Sequence, residues 1–148
     1  MRFRRTRAED PRAATSSQLA PASVAIADDG NIPFIDAQGH GFDLLRSVGL
    51  GHGLWRASVG TDLDQLGSRQ IVVLAAYTPE DIESSRPLMQ RFMTIVLAMG
   101  LGPQYGSRAL TLGAVGYVDA STDERNIQSV FSDAVARVCI RRLREAAA

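Results

Sequence analysis

The chain has 148 residues, 45% of them apolar and 22% charged, with sixteen basic side chains balancing sixteen acidic ones. That is the size and composition of one ordinary globular domain, large enough to bury its own core without metals or disulfides. Every basic residue is arginine, a lysine-free, bacterial-type composition that excludes Schiff-base chemistry, a lysine general base and a P-loop. The lone cysteine, Cys139, and the two histidines exclude an intrachain disulfide, a four-cysteine iron–sulfur centre and the usual zinc-finger ligand sets.

Residues 1–22 read as a disordered arm, because Arg2, Arg4, Arg5, Arg7 and Arg12 crowd it and no apolar periodicity offsets the entropy of ordering it. No hydrophobic region follows the basic start, and no run approaches the ~18 apolar residues of a membrane span. The expectation is a soluble, cytoplasmic chain with a single domain over residues 23–148. Ser23 to Ala27 and Ile32 to Asp36 flank Asp28-Asp29-Gly30-Asn31 and predict a β-hairpin. Pro33 lacks a ladder donor and points to an edge strand. Phe42, Leu44, Leu45 and Val48 suit a short helix ending at Gly49. A strand over Leu54 to Val59 and one helical turn from Thr61 to Leu66 follow.

The continuous apolar run from Gln70 to Tyr77 predicts a central strand. Thr78-Pro79-Glu80-Asp81 is a helix start, with a capping hydroxyl, a proline in the first turn and two carboxylates at the positive helix end. This helix is expected to run to Met99, with Pro87 forcing a kink or a restart after Ser84-Ser85, although Phe92 to Met99 also fits a buried strand. A glycine-rich loop from Gly100 to Gly106, a strand over Ala109 to Val118 and a helix from Thr122 to Leu143 complete the chain. The fold class is therefore α/β, a mixed four- to five-stranded sheet with two main helices, with an α+β two-layer sandwich as the alternative.

Chemistry-bearing residues are sparse. His40 and His52 both sit in Gly-His-Gly, near Asp36 and Asp43 in sequence. Flanking glycines leave an imidazole uncrowded, so these four are the candidates for an acid, a base or a metal ligand. Their spacing matches no standard ligand pattern, so no metal and no cofactor are expected. Gly67-Ser68-Arg69 and Gly106-Ser107-Arg108 recur 39 residues apart, and both serines and both arginines are candidate anion ligands. Met89, Phe92, Met93 and Val96 belong to a segment that is apolar almost all round if helical, which predicts an interface and a homodimer.

Ile35 to Leu45 resembles the strand–Asp-Ser-Ser-Gly–helix signature of anti-sigma-factor antagonist domains over about eleven residues. Ala37 and Gln38 replace both serines, so no phosphorylatable hydroxyl is present, and the sequence is assigned to no family. The function expected is a small non-enzymatic binding, adaptor or regulatory domain acting through protein–protein contacts. The alternatives are a small enzyme or metal-dependent protein using His40 and His52, and a nucleic-acid accessory protein using Arg2, Arg4, Arg5 and Arg7.

Overall fold

A computed structural model describes residues 32–59, 61–67, 69–121 and 126–147. The expected arm, the first strand of the expected hairpin and Ser68 lie outside them. In chain order the elements are β1 (Ile32–Ile35), α1 (His40–Ser47), β2 (Leu54–Arg56), α2 (Thr61–Asp64), β3 (Ile71–Ala76), α3 (Pro79–Ser84), α4 (Arg86–Arg91), β4 (Met93–Ala98), a 3₁₀ turn (Pro103–Tyr105), α5 (Gly106–Leu112), β5 (Gly116–Asp119) and α6 (Ile127–Ala147). The strands form one five-stranded sheet in the order β2-β1-β3-β4-β5, and every described pair is parallel. The chain is thus of the α/β class expected, and its strand order is that of the flavodoxin-like doubly wound sheets.

Alternation along the two central strands builds the layers. Ile71, Val73 and Ala75 of β3, with Met93, Ile95 and Leu97 of β4, face a core closed by Leu45 of α1 and by Ile127, Phe131, Val135 and Val138 of α6. Val72, Leu74 and Ala76, with Val96, face the opposite core, closed by Leu63 of α2, Ile82 of α3, Met89 of α4, and Ala109 and Leu112 of α5. A parallel sheet covered on both faces needs strands that are apolar at every position, and β3 and β4 are buried throughout.

Four expectations are corrected. The helix predicted from Pro79 to Met99 restarts after Ser84-Ser85, as expected from Pro87, but it ends at Arg91 and a central strand follows. Pro87 opens α4 in its first turn, and Phe92 is already extended (φ −120°, ψ 160°). Met89, Phe92, Met93 and Val96, expected at an interface, are each at most 4% exposed. Their all-round apolarity is that of a buried turn and strand. The strand predicted over Ala109 to Val118 is the helix α5, stopped at Gly113 (φ 120°), followed by β5. Ala109 and Leu112 are buried at helical spacing while Leu110 is 53% exposed. Pro33 lies in an interior strand, not at an edge. The ladder of β1 with β3 begins at Phe34, one residue later, so the missing donor is not needed. The start of α3 is as expected: the Thr78 hydroxyl accepts from the Asp81 N–H, and the Asp81 carboxylate accepts from the Thr78 N–H. Among the described residues no helix is long and apolar enough to cross a membrane.

Candidate functional site

In an open parallel sheet, ligands bind beyond the carboxyl ends of the strands where the strand order reverses. Here that place lies between β1 and β3. Three elements meet there: the loop Asp36–Gly39, the first turn of α1, and Tyr77, which follows β3.

Asp36 is only 4% exposed. Its carboxylate accepts from the backbone N–H groups of Gln38 (3.2 Å), Gly39 (2.9 Å) and Phe42 (2.9 Å) and from the Tyr77 hydroxyl (2.5 Å). Burial pushes this carboxyl up. The hydrogen bonds, that of Tyr77 foremost, more than offset burial and hold it below the ordinary carboxylate value. The Tyr77 hydroxyl in turn accepts from the Gly41 N–H (3.1 Å). Burial, and then its bond to Asp36, push the phenol up to about 12, so it stays a hydrogen-bond donor through the physiological range. The first amides of α1, which in other doubly wound folds face a phosphate, are here occupied by the chain's own carboxylate and phenol.

The glycines of the first Gly-His-Gly serve this geometry. Gly39 has φ +87°, and a Cβ there would meet the Arg56 guanidinium at 3.2 Å; a Cβ at Gly41 would meet the Ala75 Cβ at 3.2 Å and an Asp36 oxygen at 3.3 Å. Gly41 therefore allows α1 to approach the sheet closely enough for Asp36 to reach the Phe42 amide. Arg56, at the end of β2, donates from Nε and Nη2 to the Asp36 carbonyl (3.1 and 2.5 Å). Beside it lies an open cleft of about 620 Å³ lined by Asp36, Ala37, Arg56, Ser58 and Asp62. Asp62 accepts from the Ser58 N–H and hydroxyl, both at 2.8 Å, which lowers its carboxyl from the ordinary value.

The structure brings two of the four predicted acid–base candidates together. Asp36 and His40 lie at this edge, and the His40 ring sits edge-on to Tyr77 at 6.2 Å between centroids. Asp43 is on the exposed side of α1, 4.0 Å from Arg46. His52 is exposed in the turn before β2, at the opposite, amino-terminal edge of the sheet. The histidines thus do not converge, and among the described residues no three His, Cys, Asp or Glu side chains are grouped as a metal site requires.

The anion candidates are also separated. Arg69 precedes β3, adopts a left-handed backbone (φ 68°) and pairs with Glu145. Arg108, in the first turn of α5, makes a two-pronged pair with Glu83 (2.6 and 2.8 Å). Ser107 is exposed, and its carbonyl accepts from Thr111. Gly106-Ser107-Arg108 opens a helix, whereas Gly67 and Arg69, on either side of a residue outside those described, lie in no helix or strand.

Sequence reasoning missed Tyr77, Arg56 and Asp119. Asp119, at the end of β5 and 3% exposed, accepts from the Gly102 N–H (2.5 Å) and from the N–H and hydroxyl of Ser121 (2.9 and 2.7 Å). It pins the glycine-rich loop, whose Gly102 carbonyl also accepts from the Tyr117 hydroxyl (2.7 Å). The available signal was position: each of these residues ends or directly follows a strand, and in a parallel sheet all such residues share one edge.

Fold and site together define a doubly wound parallel α/β protein whose switch-point amides are occupied by its own side chains. The chain matches no protein-family model, and no curated protein resembles it in sequence.

Proposed function

We propose that this chain is a non-enzymatic binding, adaptor or regulatory domain that acts in the cytoplasm through protein–protein contacts. The observation that carries the reading is the closed network at the switch point. The Asp36 carboxylate, the Tyr77 hydroxyl and the first amides of α1 are engaged with one another. A catalytic carboxylate or phosphate-binding turn would keep a polar group directed at the ligand. Ala75 and Ala76 at the end of β3, and Ala98 at the end of β4, bring no functional group to the same edge. Function is read from the site because the same fold serves unrelated activities. The burial of Met89, Phe92, Met93 and Val96 takes these residues out of any partner surface.

Two measurements on the full chain test this. Chemical cross-linking in the native host captures a protein partner. A thermal-shift panel of nucleotides, flavins and inorganic phosphate leaves the unfolding temperature unchanged. A panel member that raises it by several degrees, with the effect abolished by Arg56→Ala, makes the switch point a small-molecule site and rejects the proposal.

A further inference from the structure

Beyond β2 the chain builds a cleft from two opposite charges that do not meet. Arg56 ends the strand, and its Nε and Nη2 are both spent on the Asp36 carbonyl. Those two bonds fix the plane of the guanidinium and leave Nη1 without a partner among the described residues. Arg56 is exposed, and among the described residues it forms no ion pair. Asp62 lines the same cleft, of about 620 Å³. Its Oδ2 accepts both bonds from Ser58, and its Oδ1 accepts none from the described residues. Each charge is thus tied to the loop beside it and not to the other, so both are in place before a ligand arrives. The third carboxylate there, Asp36, is turned to its own four donors, three of them amides, which compensate its charge within the loop. One wall of the cleft is apolar. Val59, at 72%, is the most exposed large apolar side chain among the described residues. With Ile35 it also lines a second cavity of about 520 Å³, continued by Leu63, Pro87 and Leu88. At these two residues the polar cleft meets an apolar space.

We propose that this cleft captures the carboxyl terminus of a partner protein whose last residue is large and apolar. The inference rests on the protein-contact reading above and names the surface and the partner's chemistry. Charge complementarity selects the occupant. A chain end carries a carboxylate, an N–H and a side chain on a single Cα, and the cleft offers a cation, an acceptor and an apolar wall. The carboxylate pairs with the Arg56 guanidinium, the N–H donates to Asp62, and the side chain packs on Val59 towards the second cavity. Terminal carboxylates are a recurrent handle in peptide recognition. Inorganic phosphate would satisfy the cation alone and be repelled by Asp62. A free amino acid carries the same groups, but a cleft of this volume is in the range that holds drug-sized ligands. A peptide end fills more of it and continues outward.

The test uses the full chain and two libraries of synthetic heptapeptides, one with free carboxyl ends and one with carboxamide ends. The chain is expected to retain free-ended peptides that finish in leucine, isoleucine, methionine or phenylalanine. For the tightest of these, fluorescence anisotropy should show at least about tenfold weaker binding once the end is amidated. Arg56→Gln lowers affinity for the free-ended peptide by a similar factor and removes the difference between the two ends. Val59→Glu, at an exposed position, keeps the circular dichroism spectrum, lowers the affinity likewise and serves if Arg56→Gln does not fold. Retention of no peptide, equal affinity for free and amidated ends, or an affinity that the variants leave intact overturns the proposal. Peptides with an internal aspartate or glutamate that bind equally well as amides and are lost in Arg56→Gln overturn it in favour of an internal acidic segment. Free leucine that displaces the peptide at equal concentration overturns it in favour of an amino-acid ligand. A cross-linked host partner whose yield is the same in Val59→Glu removes this site and leaves the protein-contact reading standing. A nucleotide, flavin or phosphate held at Arg56 removes the reading itself.

Discussion

Asp36 carries more of the local structure than any other polar residue of the switch point. Four donors converge on one buried carboxylate, and the Gly39 amide, whose bond to it is buried, would be left unsatisfied without it. Asp36→Ala is expected to cost about 3 kcal/mol, in the range for breaking a buried charge-assisted network; denaturant melts measure it. The pH dependence has a definite sign. Hydrogen bonding depresses the folded-state carboxyl below its unfolded value, so its stabilisation is fully present above the unfolded value. It is lost as the pH falls through the folded one. Stability measured from neutral pH down into acid should fall less steeply in Asp36→Asn than in the native chain; an identical slope would contradict the account. Tyr77→Phe removes one donor to Asp36 and one acceptor for the Gly41 amide, a loss of about 1–2 kcal/mol by the same melts.

At the scale of elements, the middle of the chain separates what sequence reveals from what it hides. The run from Ile71 to Ala76 was readable as a central strand because glycine and capping signals bound it on both sides. The run from Met93 to Ala98 is apolar but for Thr94 and equally buried, but it follows a helical segment with no turn residue between. Periodicity cannot distinguish a strand buried on both faces from a buried helix, and the β-branched Thr94, Ile95 and Val96 were the remaining clue. The misreading of Ala109 to Val118 has a related cause: α5 has seven residues, too few for its period to stand out. Asp36 and His40 could be picked out because Gly39 and Gly41 mark the turn. Tyr77 and Arg56 could not, since their roles arise only when β1, β2 and β3 lie side by side. The reassignment of β4 changes the outcome of a specific substitution. Met93 is fully buried between β3 and the helices, so Met93→Glu places a charge in the core and unfolds the chain. Circular dichroism would show loss of structure; a folded monomer would mean that Met93 lies at a separable surface. Gly41→Ala sets a methyl 3.2 Å from the Ala75 Cβ and should destabilise by about 1–3 kcal/mol.

For the molecule as a whole, the two helical layers are unequal. α6 spans one face as a single long helix beside α1, while four short helices divide the other. The continuous layer leaves Ile140 and Leu143 exposed near its end. At the carboxyl edge of the sheet two buried carboxylates, Asp36 and Asp119, are each bonded to their own loop. The switch point filled by the chain's own groups is the basis of the proposed protein-contact role. Backbone amide exchange at the switch point, followed by nuclear magnetic resonance with and without nucleotides, flavins and phosphate, tests that claim most directly. The account predicts that the Gly39, Gly41 and Phe42 amides exchange slowly and keep their shifts throughout. Fast exchange of these amides, together with saturable shifts on adding one of the ligands, would contradict it.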